Sequence, residues 1–463
     1  MSDGRGLDPT ILREYDIRGI VPDTLSDNDA EIIGRAFGTV MRERGLGTAA
    51  VGYDGRLTSP GLEAALVRGL SAAGIDVCRI GLGPTPMLYF AHATLPTDGG
   101  LMITGSHNPP EYNGIKLTIG GKPFFAGDIQ RLGERAQAGD FAEGKGDVTE
   151  KSVMDDYVAR MLKDYEAGET PLKIAWDSGN GAAGEVLRKL TGGLPGTHIL
   201  LNDEIDGTFP AHHPDPTVES NLEQLKQTVR SEGCDLGVAF DGDGDRIGVI
   251  DGRGRVLWGD QILVLLAPEV LEDHPGATII ADVKSSRVFF DEITRLGGKP
   301  LMWKTGHSHI KNKMAEIGAP LAGEMSAHIF FKHRYYGYDD ALYVAVRLLS
   351  AINRSGESLA SLHDRLPAMV NTPELRFDCP EDRKFAVIDE VKGRIRETPG
   401  LVIHDIDGVR VETEDGWWLL RASNTQAVLV ARCESETEDG LQRLKAELSA
   451  QLEASGLDMP ESG

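Results

Sequence analysis

Apolar residues recur along this chain in one repeated arrangement. A short apolar run ends in an aspartate, a polar loop follows, and a stretch with apolar residues at helical spacing comes next. The three instances are Val51-Gly52-Tyr53-Asp54, Ile174-Ala175-Trp176-Asp177 and Ile279-Ile280-Ala281-Asp282. Runs this short and continuous read as buried strands rather than helices. After the first, Leu62, Leu66 and Leu70 stand at i, i+4 and i+8, which predicts an amphipathic helix over 62–73. Later in each unit a second apolar run leads into a polar loop, at 104–108, 241–246 and 323–328. Strands alternating with helices predict three similar α/β units, each presenting one loop.

Polar, glycine-bearing seams at 139–150, at 251–255 and near 367–373 divide the chain into domains of 1–153, 154–254, 255–366 and 367–463. Beyond the last seam the pattern changes. Short runs at 409–412, 417–420 and 427–432 read as strands around turns, and a helical run at 438–452 closes the chain. The expected fold is therefore α/β, with three similar mixed α/β domains followed by a smaller C-terminal α+β domain.

Composition narrows the function. The chain has 463 residues, 40% hydrophobic and 26% charged, as a soluble enzyme of several domains would. Its 48 basic and 72 acidic residues leave a net charge of −24 with no basic stripe, which argues against nucleic acid as a partner. That charge does not exclude an anionic substrate. Exposed charges beyond about 8 Å are largely screened, whereas one cation at about 4 Å contributes about 4 kcal/mol at an effective dielectric of 20. Cys78, Cys234, Cys379 and Cys433 are widely scattered and form no Cys-x-x-Cys pair, so zinc and redox chemistry are not indicated. The first eighteen residues carry charges of both signs without an apolar core, and no run reaches the roughly 18 apolar residues of a membrane span. A cytoplasmic protein with no membrane association and no evident obligate protein partner is expected.

Asp241-Gly242-Asp243-Gly244-Asp245-Arg246 is the first loop with chemistry in it. In an extended strand its aspartates would point the same way at spacings of roughly 6.6 Å, too far apart for one small ion. Ligand oxygens at about 2.1 Å from Mg²⁺ require the backbone to curl, and glycine at positive φ permits it. An acidic hairpin turn is the bland alternative, yet three alternating carboxylates would repel one another without a cation. An EF-hand fails because Arg246 stands where the turn glycine belongs and Gly252 where the bidentate glutamate belongs.

Thr104-Gly105-Ser106-His107-Asn108-Pro109-Pro110 is the second such loop. Ser106 follows the apolar run Leu101-Met102-Ile103, so it sits in the first turn after a strand, where α/β proteins place their chemistry. A lone serine there is usually a cap or turn residue. His107, Asn108 and Lys116 alter that by placing donors and a cation around the hydroxyl, which suits a phosphoryl group. No glycine follows at the spacing of a hydrolase elbow. Arg421-Ala422-Ser423-Asn424-Thr425, read as a turn between strands, offers a compact anion cradle.

Together these loops resemble those of the α-D-phosphohexomutases, in the bacterial phosphomannomutase/phosphoglucomutase branch, over nearly the whole chain. Residues 104–110 resemble the phosphoserine loop, 241–246 the metal loop, 323–328 the sugar-binding loop and 421–425 the phosphate-binding loop. The resemblance implies a heart-shaped molecule with one loop from each domain converging on a central active-site cleft. It implies that Ser106 carries the phosphoryl group and that Asp241, Asp243 and Asp245 hold Mg²⁺, with Ser106 completing the site. Glu324 and Ser326 would bind sugar hydroxyls, and Arg421, Ser423, Asn424 and Thr425 the non-reacting phosphate. Tyr15 and Lys284 match further substrate-binding positions, and Lys116, Arg246, His328, Arg18 and His307 match catalytic ones, with His328 and Lys116 the candidates for acid/base work. In extended geometry Glu324 and Ser326 would share one face.

The implied reaction interconverts hexose 1-phosphate and hexose 6-phosphate, for mannose and glucose, through a bound 1,6-bisphosphosugar. Glucose 1,6-bisphosphate, or its mannose counterpart, would act as activator and intermediate. Small-molecule hexose phosphates are the expected partners. Departures from the family pattern are Ala327, where glycine is usual, His309, where an aliphatic residue is common, and Gln426-Ala427. Ala327 is a small change unless its backbone needs positive φ. A phosphoglucosamine mutase, a Mg²⁺-dependent sugar phosphatase and a non-catalytic sugar-phosphate binder are the alternatives. Glu324-Met325-Ser326 favours the mannose and glucose branch over the Glu-Gln-Ser of phosphoglucosamine mutases.

Overall fold

A computed structural model of the chain describes residues 6–458 apart from 397, 399 and 425. Four sheets account for its strands, and the first three share one device. In each, a buried parallel strand runs into a loop and returns as its antiparallel neighbour. The pairs are Gly99–Ile103 with Tyr112–Ile119, Leu236–Phe240 with Ile247–Asp251, and Leu321–Gly323 with Ile329–Phe331. The connecting loops are the three singled out in the sequence. Each leaves the carboxyl end of a strand that pairs in parallel with the aspartate-ending strand of its unit, Thr48–Tyr53, Lys173–Asp177 or Thr278–Asp282. The strands Gly99–Ile103 and Leu236–Phe240 are buried at every position, which is why they read as continuous apolar runs rather than alternating ones. The fourth sheet has six strands, all paired antiparallel, and carries the helices Lys384–Ile395 and Glu438–Glu453.

Two seams look different in the structure. Residues 148–150 form a strand, Val148–Glu150, that extends the first sheet beside Asp76–Leu82. The polar stretch at 251–255 is a hairpin turn, because the buried Asp251 carboxylate accepts the amides of Arg253 and Arg255 and turns the chain back on itself. The second sheet therefore ends at Leu257, paired with Val249.

One apolar core runs continuously through the first three units, joining Met87 and Phe90, Trp176 and Phe240, and Leu263 and Leu342. Their three loops are thus fixed relative to one another. The fourth unit has a core of its own and meets the third through the small cluster of Val283, Trp417 and Leu419. No helix among the described residues is long and apolar enough to cross a membrane.

In the first unit the helices Asp27–Glu43 and Ser59–Ala72 touch backbone to backbone. A Cβ on Gly69 would lie 2.1 Å from the Glu31 carbonyl oxygen, and one on Gly34 2.4 Å from that of Leu66. Gly69→Ala must separate the two helices, so it should cost about 2 to 3 kcal/mol. The check is a lower urea midpoint for unfolding followed by circular dichroism.

Candidate active site

Ser106 is held in an uncommon conformation, with φ of 50°. A buried guanidinium enforces it. Arg56, 1% exposed, donates to the carbonyls of Ser106 (2.7 Å), Asn108 (2.6 Å), Pro109 (2.5 Å) and Tyr112 (2.9 Å) and to Asp54 Oδ2 (3.2 Å). Asp54, the aspartate that ends the first repeat strand, also accepts the Gly105 amide at 3.1 Å and the Ser59 hydroxyl at 2.6 Å. The sequence reading passed over Arg56, whose only signal was its place just after Asp54. Ser106 Oγ is left 3.2 Å from Asp241 Oδ2 and 3.1 Å from His107 Nδ1.

The metal loop curls as expected. Asp241 Oδ1 accepts the amides of Asp245 and Arg246 at 3.0 and 3.1 Å, and one oxygen from each aspartate falls within 4.8 Å of the others. Gly244 has φ of 73°, but Gly242 does not adopt positive φ. Gly242 is needed for a different reason. A Cβ there would lie 2.4 Å from the Ser106 carbonyl oxygen, so its missing side chain is what lets the two loops meet.

All three carboxylates are 0% exposed. Asp243 Oδ2 accepts from Thr85 Oγ1 (2.5 Å), Thr104 Oγ1 (3.1 Å) and Lys116 Nζ (2.7 Å), and Lys116 also reaches Asp245 Oδ2 at 2.5 Å. Asp243 Oδ1 is buried with no partner among the described residues. Burial, then the charges of Asp245 and Asp243, push the Asp241 carboxyl well above its ordinary pKa. Burial acts on Asp245 in the same direction, but Lys116 and His328 outweigh it and hold that carboxyl well below the usual range. An orphaned buried oxygen, an all-oxygen donor set and three buried carboxylates crowded together fit a hard divalent cation such as Mg²⁺.

The third loop is bound to the second through its backbone. Arg246 and His328 form an isolated antiparallel bridge, and the Ile247 amide donates to the Ala327 carbonyl at 3.2 Å. His328 lies between two carboxylates, with Nδ1 2.9 Å from Glu324 Oε2 and Nε2 3.1 Å from Asp245 Oδ1. Burial opposes its charge, yet these acids raise its pKa to about 9, so both nitrogens carry protons. Arg246 Nε, 3.3 Å from the same Nε2, is then a neighbour rather than a donor to it. Glu324 also accepts the Gly306 amide at 2.6 Å.

The expectation of extended geometry for Glu324 and Ser326 does not hold. Residues 324–327 form a tight turn, with Ala327 at φ of 66°, because the Ala327 amide donates back to the Glu324 carbonyl at 2.9 Å. Glu324 is buried and Ser326 half-buried. Ala327 therefore occupies a backbone conformation that favours glycine.

Tyr15 draws the remaining elements together. Its hydroxyl donates to the Thr305 carbonyl at 3.0 Å and accepts from Asn424 Nδ2 at 2.7 Å, linking the first, third and fourth units. Its ring meets His307 and His309 edge-on, with centroids 5.8 and 5.7 Å apart. His309, the departure noted above, also packs on Phe125. Arg18 bonds to Asn108 and Asp16. Arg421 is held by Asp407, which also takes the Thr305 amide at 3.0 Å. Lys284 pairs with the half-buried Glu374 at 3.0 Å. Ser423 belongs to a loop pinned by the buried Lys384, which donates to the carbonyls of Ser423 (2.6 Å) and Gln426 (3.1 Å). Thr425 lies outside the described residues. Asp407, Glu374 and Lys384 were missed by the sequence reading, because each acts through contacts far along the chain.

Two outcomes follow from this geometry. Arg56→Lys loses the fork that gathers four carbonyls and should cost about 3 kcal/mol. Hydrogen exchange would show it as faster exchange of the amides at 104–112 than elsewhere in the first unit. Asp243→Asn should weaken binding of Mn²⁺ by roughly 10- to 100-fold, read by calorimetric titration or by electron paramagnetic resonance of the free ion.

The chain matches the family models described as phosphoglucomutase/phosphomannomutase alpha/beta/alpha domain I at 9–143, domain II at 155–254 and domain III at 258–370, and the C-terminal domain at 374–451. It is 44% identical to the phosphomannomutase/phosphoglucomutase of Pseudomonas aeruginosa over 454 residues, 98% of each chain. To the phosphoglucomutase of Neisseria meningitidis serogroup A it is 42% identical over 447 residues, 96% of this chain and 97% of that one. Among solved structures, a phosphoglucomutase/phosphomannomutase family protein from Burkholderia thailandensis superposes with a TM-score of 0.92 at 41% identity, covering 99% of both chains.

Proposed function

This chain belongs to the phosphoglucomutase/phosphomannomutase family and is a phosphohexomutase. On that premise we propose that it interconverts the 1-phosphates and 6-phosphates of mannose and glucose, with Ser106 as the carrier of the phosphoryl group. The observation that supports this most directly is the position of Ser106 Oγ, 3.2 Å from Asp241 Oδ2 and beside a buried carboxylate cage that fits Mg²⁺.

Asp241, Asp243 and Asp245 would hold that ion, with a phosphoserine oxygen completing the site. When bound, it supplies positive charge against the phosphoryl oxygens and neutralises the carboxylates. Phosphoryl transfer needs little from the protein beyond positioning and positive charge. A sugar hydroxyl attacks the phosphorus as the bond to Ser106 Oγ breaks. In net balance the proton that the hydroxyl gives up is the one that the departing serine oxygen gains. Lys116 and His328, each carrying protons beside Asp245, suit the donor side of that exchange. Arg246 and Arg18 add charge around the loop, and His307 lies within 5.5 Å of the His328 ring.

The product of the first transfer is a 1,6-bisphosphosugar, and return of its opposite phosphate to Ser106 completes the cycle. Glucose or mannose 1,6-bisphosphate would also phosphorylate Ser106 at the start. Tyr15, Lys284, Arg421, Ser423, Asn424 and Thr425 would hold the non-reacting phosphate, and Glu324 and Ser326 the sugar hydroxyls.

Phosphorus-31 NMR with Mg²⁺ and a trace of glucose 1,6-bisphosphate tests the reading on mannose, glucose and glucosamine 1-phosphates. Mannose and glucose should pass to their 6-phosphates without free phosphate, and faster than glucosamine. Preference for glucosamine 1-phosphate would make this a phosphoglucosamine mutase, and released phosphate a phosphatase. No turnover once intact mass shows Ser106 phosphorylated would leave a binding protein. Ser106→Ala should lower turnover at least about 10⁴-fold while substrate affinity changes little.

A further inference from the structure

Asp339 ends the short strand Tyr338–Asp339 at the edge of the third sheet, and it is 0% exposed. Its Oδ1 accepts from Lys311 Nζ at 2.9 Å, whereas its Oδ2 has no partner among the described residues. Facing that oxygen at 3.8 Å is His307 Nδ1, also buried and also without a partner. His307 and Lys311 are one turn apart on the helix His307–Ile317, so one helix face offers an imidazole and an ammonium to a single carboxylate. Lys311 is fixed from its other side by Tyr89 of the first unit, with Nζ 3.3 Å from the hydroxyl and 4.4 Å from the ring centroid.

Leaving two such atoms unbonded costs about 1 to 3 kcal/mol each, and a closure of about 1 Å makes a normal hydrogen bond. Other partners are taken. Ligand-capable atoms of Asp245 and His328 also lie within 4.8 Å of the Asp339 carboxylate. His328, however, is engaged by Asp245 and Glu324, and Asp245 by Lys116.

We propose that Asp339 is a positioning residue for the mutase reaction, holding His307 with Nδ1–H toward its carboxylate so that Nε2 accepts a hydrogen bond from a sugar hydroxyl. The partner of one ring nitrogen decides which nitrogen keeps the proton. Burial, then the Lys311 and His328 charges, hold His307 well below its ordinary pKa, which keeps the ring neutral and its Nε2 lone pair free. The role for Nε2 rests on the reading of this cleft as a hexose phosphate site, whereas the tautomer does not.

Nitrogen-15 spectra of the histidine-labelled, full-length protein with Mg²⁺, assigned through His307→Gln, read the tautomer without substrate. The expected result is a protonated Nδ1 and a bare Nε2 on His307. Asp339→Asn should shift that tautomer and lower kcat roughly 10- to 100-fold, with KM and Mg²⁺ affinity changed less than about threefold. Asp339→Glu should recover part of both. Lys311→Met, which leaves the carboxylate in place, should keep the Nδ1–H form and guards against an Asp339 variant that fails to fold. A wild-type His307 protonated at Nε2, or an Asp339→Asn protein that loses kcat with its tautomer unchanged, would overturn the assignment. Failure of mutase activity with the tautomer as expected would instead count against the proposed function.

Discussion

Three carboxylates withdrawn from water in one loop constrain everything around them. At 4.8 Å, two unit charges repel by about 3.5 kcal/mol at an effective dielectric of 20. Three such pairs approach the whole stability of an ordinary domain, about 5 to 15 kcal/mol. The loop at 241–245 can exist only where positive charge and hydrogen-bond donors are delivered to it, and most come from the first unit. Lys116 reaches across from the strand Tyr112–Ile119, Thr85 from the start of the helix Thr85–Thr94, and Thr104 from just past the end of the strand Gly99–Ile103. Assembly of the site and packing of the first unit on the second are therefore one event. Removing Lys116 would leave the aspartates uncompensated and also remove a main polar tie between the two.

The same logic extends to the third unit through His328. Its imidazolium is stabilised by a carboxylate from each side, Asp245 of the second unit and Glu324 of its own. The backbone bridge at Arg246 and His328 then sets the relative height of the two loops. Behind these polar ties lies a shared apolar core, so the three loops are presented by one rigid body. The fourth unit stands apart in this respect. Its attachments include Tyr15 to Asn424, Lys284 to Glu374, the Thr305 amide to Asp407, Ser286 and the Arg287 amide to Glu434, Arg410 to the carbonyls of Val283 and Ser285, Arg432 to that of Lys284, and a small apolar cluster.

What could be read from the sequence follows from this division. Buried parallel strands need continuous apolar runs, and the loops at their ends need short polar residues and glycine. Both are local, so the three repeat units, Ser106 and the aspartate triplet were legible. The supports were not. Arg56, Lys384, Asp407, Glu374 and Asp339 are five of 120 charged residues, and their roles come from partners far away in the chain. No period marks a buried ion pair. The Glu324 and Ser326 geometry failed for a related reason, because a bond from the Ala327 amide to the Glu324 carbonyl replaced the extended backbone assumed from spacing. Gly242 was rightly singled out but for conformational freedom, when its use is close approach to Ser106.

Under the proposed function the substrate must present both of its phosphates in turn, and a site whose two ends differ in attachment suits that. At one end Ser106, the carboxylate cage and Lys116 belong to the rigid body and hold their geometry whatever occupies the site. At the other, Arg421 and Asn424 sit on the fourth unit, which shares only a small apolar cluster with the rest and is held mainly by hydrogen bonds, those to charged groups worth about 1.5 to 3 kcal/mol each. The ties nearest the proposed phosphate cradle, Tyr15 to Asn424, the Thr305 amide to Asp407 and Lys284 to Glu374, can loosen without disturbing Ser106 or the cage. Reorientation of a bisphosphosugar, as proposed, would then draw on these contacts beside the cradle, while the carboxylate cage stays with the rigid body and the buried Arg410 keeps the fourth unit attached at the seam.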